Sequence, residues 1–117
     1  DLLGRLVDIG PQRIVLTGVY FDEAELGAAV YERGNITYLM SRKIPGFYHG
    51  TGDVFGSALL AGIMEGLTLD SATDAAIELT VESIERTWQA GTDVRFGVNF
   101  EAGLGDFAAR LRRRKNA

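Results

Sequence analysis

The chain has 117 residues, no cysteine, 46% hydrophobic and 24% charged residues, and a formal net charge of −4. This composition describes one folded, globular piece and excludes a disulfide framework, thiolate chemistry and nucleic acid as the main partner. No apolar run is long enough to span a bilayer and no stretch reads as a signal peptide, so no membrane partner is expected and a cytoplasmic location is the default.

In chain order, residues 2–9 read as a short helix end, broken by Gly10-Pro11. Residues 13–19 form an apolar, β-branched run suited to a strand buried on both faces. A polar loop over 21–25 follows. Residues 27–31 and 36–40 are strand-like and are joined by Glu32-Arg33-Gly34-Asn35, a hairpin signal. Residues 41–52 read as a long loop containing Pro45, Gly46, Gly50 and Gly52.

Residues 53–64 predict a helix that is apolar nearly all round and therefore buried, ended by Gly66 as its C′ residue. Ser71, with Asp74 three residues on, resembles a capping box opening the next helix. Ile77, Val81, Ile84 and Trp88 form its expected apolar stripe, and Gly91 ends it. Residues 107–114 read as a final short basic helix. A strand, a hairpin and then helices imply an α/β layered arrangement.

The most informative run is His49-Gly50-Thr51-Gly52-Asp53, followed at once by an apolar helix. Two glycines permit a tight backbone path, so that consecutive amides point into one pocket at a helix N-terminus, where unpaired N–H groups favour negative charge. An anion hole with a carboxylate at its edge suits phosphoryl transfer: amides hold the migrating group and the carboxylate takes the proton of the attacking hydroxyl. The four residues Gly-Thr-Gly-Asp alone are read more readily as a capped helix behind a glycine hinge.

Three segments together resemble the ribokinase-like superfamily and, within it, the pyridoxal kinases. Ile14-Val15-Leu16-Thr17-Gly18-Val19 looks like the family's late core strand, whose end approaches the nucleotide phosphates. Lys43 through Phe55 looks like its anion-hole segment, and Gly97-Val98-Asn99-Phe100-Glu101 resembles a segment near the C-terminus of bacterial members. The resemblance covers residues 1–117 as the C-terminal ATP and anion-hole portion of a three-layer α/β kinase fold with a mostly parallel central sheet. A member would be more than twice this long. The first residue is Asp and the substrate-binding part is missing, so a fragment is expected.

The resemblance implies Asp53 as catalytic base for the 5′-hydroxymethyl group of a pyridoxal-like substrate, and Gly50, Thr51 and Gly52 as the anion hole. It implies Thr17, Gly18 and His49 on the ATP side, with Lys43 a further cation near ATP. ATP and Mg2+ are the implied cofactors, and the full-length protein is expected to be a homodimer. Sugar kinases of the superfamily carry Asp-Thr-x-Gly-Ala-Gly-Asp, whereas this chain has Phe47-Tyr48-His49-Gly50-Thr51-Gly52-Asp53. Hydroxymethylpyrimidine kinases often place Cys where Asp53 stands.

A sugar or hydroxymethylpyrimidine kinase of the same superfamily is the nearest alternative. A fragment without activity, self-associating through an exposed sheet edge and an apolar helix face, is the alternative of another class. Asn99 and Glu101 read as fixing the C-terminal turn or as a nucleotide-side loop. Gly103-Leu104-Gly105-Asp106 reads as a loop and N-cap, and the basic run Arg110 to Lys115 as a helix end favoured by the dipole.

Overall fold

The computed structural model describes residues 2–10, 12–19, 25–42, 51–91 and 99–116. The chain divides into two compact units, Asp1–Lys43 and Ile44–Ala117.

In the first unit, helix α1 (Leu2–Ile9) is followed by strands β1 (Arg13–Val19), β2 (Glu25–Glu32) and β3 (Asn35–Arg42). They form an antiparallel sheet in the order β1-β2-β3. The mostly parallel arrangement expected from the resemblance is not the pairing of these three. Neighbours joined by short connections pair antiparallel, because a parallel crossover needs a dozen residues or more.

The hairpin falls where the sequence places it. Glu32 pairs with Asn35 across the two-residue turn Arg33-Gly34. Both turn residues have positive φ, 51° and 88°, which matches the twist of the flanking strands. Arg13 lies directly opposite Glu32, and their side chains form an ion pair at 3.1 Å.

Burial in this sheet differs from expectation. Ile14, Val15 and Leu16 of β1 are half-buried and Thr17 is exposed, whereas Ala28, Ala29 and Val30 of β2 are each 1% exposed. The strand with the buried run is the central one, flanked on both sides, and β1 has a described partner on one side only. Near the end of β1 the register shifts between Thr17, opposite Ala28, and Val19, opposite Gly27. Gly27 has to be glycine there, since a Cβ would collide with the carbonyl oxygen of Leu39 on β3.

The second unit is helical: α2 (Thr51–Met64), α3 (Leu69–Ala90), a 3-10 turn (Glu101–Gly103) and α4 (Leu104–Lys115). Helix α2 ends in a Schellman arrangement. The N–H of Leu67 bonds the Gly62 carbonyl at 3.1 Å, that of Gly66 bonds the Ile63 carbonyl at 3.0 Å, and Gly66 has φ 91°. Only Phe55, Ala58 and Gly62 of α2 are buried, while Leu60, Ile63 and Met64 are exposed. The all-round burial expected for this helix is therefore not observed; the buried positions follow one i, i+3, i+7 stripe. At Gly62 an added Cβ would lie 2.8 Å from the Ala72 Cβ, so α2 and α3 meet there closer than two side chains allow.

Helix α3 begins three residues earlier than the Ser71 capping box would place it. Thr68 is the N-cap and its side chain accepts from the Ser71 N–H at 3.2 Å. Its C-cap is Gly91, left-handed at φ 66°. The buried face also departs from the expected stripe. Ile77 is buried, Val81 and Ile84 are half-buried, and Trp88 is 56% exposed. The buried positions are instead mostly small: Ala72, Thr73, Ala75, Ala76, Ser83 and Thr87, with Leu69 and Leu79. The buried hydroxyls are satisfied within the helix. Thr73, Ser83 and Thr87 each donate to the carbonyl four residues back, at 2.7, 2.7 and 2.8 Å. Among the described residues no helix is long and apolar enough to cross a membrane.

Candidate functional site

Helix α2 starts at Thr51, so Thr51, Gly52 and Asp53 form its first turn rather than the end of a loop. This corrects the expected boundary and changes the geometry. The first N–H groups of an α-helix have no partner inside it, so the amides of this turn face outward from the helix end with the positive pole of the macrodipole behind them.

Thr51 is half-buried, Gly52 and Asp53 are exposed, and nothing lies within 4 Å of where a Gly52 Cβ would be. Asp53 is the third helical residue and therefore not the N-cap. Its carboxylate has no hydrogen-bond or ion-pair partner among the described residues.

What fixes this turn is the apolar stripe behind it. Phe55 and Ala58 are buried one and two turns on, which anchors α2 while Gly52 and Asp53 are exposed. Gly50 and His49, expected beside the same anion hole, and Lys43 lie outside the described residues.

Thr17 and Gly18 belong to the other unit, in β1, with Thr17 exposed and Gly18 at the register shift. Bulges of this kind redirect a strand near its end and are common beside ligand sites. Among the described residues no group of three or more His, Cys, Asp or Glu is arranged to hold a metal ion.

The C-terminal segment has a structural role that sequence reading left open. The Asn99 N–H donates to the buried Thr87 Oγ1 at 2.7 Å, and the Arg86 guanidinium donates to the Asn99 carbonyl. Thr87 thus uses its hydroxyl twice, as donor to Ser83 and as acceptor from Asn99. Gly103 lies against the same arginine, where a Cβ would be 3.0 Å from Arg86 Nη2 and 3.3 Å from Leu79 Cδ1. Gly103-Leu104-Gly105-Asp106 supplies an N-cap as expected, at Gly103, but is not a loop: Gly103 closes the 3-10 turn and α4 starts at Leu104, with Asp106 in its first turn.

The basic run of α4 does not simply project into water. Arg110 Nε meets Glu78 Oε2 at 2.9 Å and its Nη2 meets Glu82 Oε1 at 2.9 Å. Arg114 Nη2 meets Asp74 Oδ2 at 2.9 Å and Glu78 Oε1 at 2.5 Å, and its Nη1 donates to Ser71 Oγ at 3.3 Å. Two arginines spaced i, i+4 on α4 thus interleave with three acids spaced i, i+4, i+8 on α3. The earlier α4 residue pairs with the later α3 residues, so the helices run antiparallel. That complementary spacing was the sequence signal for this ladder. Arg112 and Arg113 are exposed.

Comparison with known proteins agrees with this reading of the fold. The family model described as phosphomethylpyrimidine kinase matches residues 2–97. Among solved structures, a putative phosphomethylpyrimidine kinase from Bacteroides thetaiotaomicron VPI-5482, in a rhombohedral crystal form, is 29% identical. It covers 91% of this chain, with a TM-score of 0.84. An orthorhombic form with pyridoxal is 28% identical over 91% of this chain, with a TM-score of 0.81. Pyridoxal kinase from Lactobacillus plantarum is 26% identical over 86% of this chain, with a TM-score of 0.77. This chain spans 37% of the length of the first and third of these structures and 38% of the second. A search of curated proteins gave no significant match. With its model matching most of the sequence and the fold shared with these kinases, the chain belongs to the phosphomethylpyrimidine kinase family of ribokinase-like proteins.

Proposed function

We propose that this chain is the C-terminal, phosphate-handling portion of an ATP-dependent kinase that phosphorylates the 5′-hydroxymethyl group of pyridoxal and its relatives. The observation that carries the reading is the open first turn of α2, where the Thr51 and Gly52 amides and the exposed Asp53 carboxylate lie together. The amides, with Gly50, would hold the phosphoryl group as charge spreads over its oxygens. Asp53 would accept the proton of the attacking hydroxyl as the O–P bond forms. ATP supplies the phosphoryl group, and Mg2+ bound to it neutralises the charge that develops. Thr17, Gly18 and His49 would lie on the ATP side. An aspartate at position 53, where hydroxymethylpyrimidine kinases often carry cysteine, favours the pyridoxal branch.

The test uses the full-length kinase that contains this chain, assayed with Mg-ATP on pyridoxal, hydroxymethylpyrimidine and ribose side by side. Pyridoxal is expected to be the best substrate. Asp53→Ala should lower kcat by about 10²–10⁴-fold, the usual range for a lost general base, with much less change in KM for ATP. Preference for hydroxymethylpyrimidine would keep Asp53 as base and move the protein to the neighbouring branch. Full activity in Asp53→Ala would refute the assignment of the base.

A further inference from the structure

We infer that α4 and the Asn99 brace form an ionic strap, a single unit that opens from α3 as ionic strength rises while α2 and α3 stay together. The strap holds by charges that solvent reaches. The side chains of Arg110 and Arg114 are 16% and 24% exposed, and those of Asp74, Glu78 and Glu82 are 46%, 37% and 41% exposed. Salt screens pairs of this kind, whereas it screens fully buried pairs much less.

The apolar contribution is narrow, since Phe107 and Leu111 are the buried side chains of α4. Arg110 also leaves its Nη1 buried without a hydrogen-bond partner, an uncompensated desolvation that weakens the docked state. The α2–α3 contact has the opposite character: Gly62 meets Ala72, with no charge involved.

The Asn99 brace moves with α4 because both rest on the same α3 residues. Gly103, at the foot of α4, lies against Arg86 and Leu79, and Arg86 in turn donates to the Asn99 carbonyl. Next to it, Thr87 accepts from the Asn99 N–H. Releasing α4 frees the Arg86 guanidinium to move and removes one of the two bonds that fix Asn99. Opening therefore uncovers Leu79 and Thr87 of α3, against which Gly103 and Asn99 rest, and unpins Asn99. Local opening below the global unfolding free energy is the general behaviour of such peripheral elements.

Residue-resolved amide hydrogen exchange on the full chain, at about 0.05 M and about 1 M NaCl, tests the strap, because the Debye length falls from about 14 Å to about 3 Å over that range. The amides of residues 108–115 and the Asn99 amide should exchange about tenfold faster at high salt, by the same factor, as expected from screening several half-exposed pairs. Those of Ala58, Ala72 and Ala76 should change by less than about twofold. The double variant Arg110→Gln/Arg114→Gln should exchange fast already at low salt and lose the salt response. Arg112→Gln/Arg113→Gln, with the same charge change on exposed residues, should behave like the parent chain. Three results would overturn the inference: no salt response in α4, the same response in α4 and in the α2–α3 pair, or an Asn99 amide that does not follow α4. The comparison of the parent chain at two salt concentrations stands even if the double variant does not fold.

Discussion

Helix α3 is joined to its two neighbours by different physics. Toward α2 the contact centres on Gly62 against Ala72, where the absence of a side chain brings two backbones together and the stabilisation is dispersion and excluded water. Toward α4 it carries Asp74, Glu78 and Glu82 in register with Arg110 and Arg114, and the stabilisation is electrostatic and shared with solvent. The first contact should tolerate little added volume and respond little to salt. The second tolerates shape changes and depends on salt. The α2 contact holds the helix whose first turn bears Asp53, so the less forgiving interface lies behind the proposed chemistry.

The sharpest way to break that contrast is at Gly62. Gly62→Val places a branched side chain where even a Cβ would be 2.8 Å from the Ala72 Cβ. Overpacking of this sort should destabilise the helical unit by about 2–3 kcal/mol, read as a lower midpoint in urea unfolding, with the same loss at low and high salt. Gly62→Ala should cost less, because about 1 kcal/mol of helix propensity offsets part of the clash. A loss that shrank in high salt would show that the α2 contact is not the apolar one described.

Next in size is Thr87→Val, which keeps the shape but removes the acceptor of the Asn99 N–H. The donor bond to Ser83 is also lost, though that carbonyl retains its helical partner. A loss of about 1–2 kcal/mol is expected for leaving a part-buried N–H without its acceptor. Amide exchange should place the effect at Asn99 more than at Ala72. An effect spread equally over α2 and α3 would argue that Thr87 acts through helix packing rather than through the brace.

Particular residues show why parts of this molecule were legible in its sequence and parts were not. Arg33-Gly34 specified the hairpin because a two-residue turn depends on local φ preferences, and both residues adopt positive φ as that turn demands. Gly66 and Gly91 marked helix ends for the same local reason.

The buried face of α3 is not the one its large apolar residues predict. Trp88 is exposed, whereas Ala72 and Thr73 are 0% exposed, since a close helix contact selects small side chains. Periodicity reports where bulky residues recur and not which face a neighbour approaches most closely. The ladder escaped notice because it joins residues 74–82 to residues 110–114, and only the fold brings them together. For the candidate site, the resemblance pointed to Asp53 and its neighbours, and the sequence pattern pointed to a helix beginning there. It placed the helix start two residues late, because Thr51 and Gly52 read as loop by composition and yet adopt the first helical turn.

The smallest expected effect sharpens the comparison most directly. Glu78 is the hub of the ladder, with Oε2 bound by Arg110 and Oε1 by Arg114. Glu78→Gln keeps the size and one acceptor oxygen but removes the charge both arginines share. Because these groups are partly exposed, the loss at low salt should be about 0.5–1 kcal/mol rather than the several expected for a buried pair. At about 1 M salt it should fall toward zero, because the pairs it disrupts are already screened. Asp70→Asn is the matched control, with the same charge change on an exposed α3 residue, and should show no such salt dependence beyond a small dipole effect. A Glu78→Gln loss that persists undiminished in high salt would mean that Glu78 acts by hydrogen-bond geometry. The two contacts of α3 would then differ in composition but not in kind.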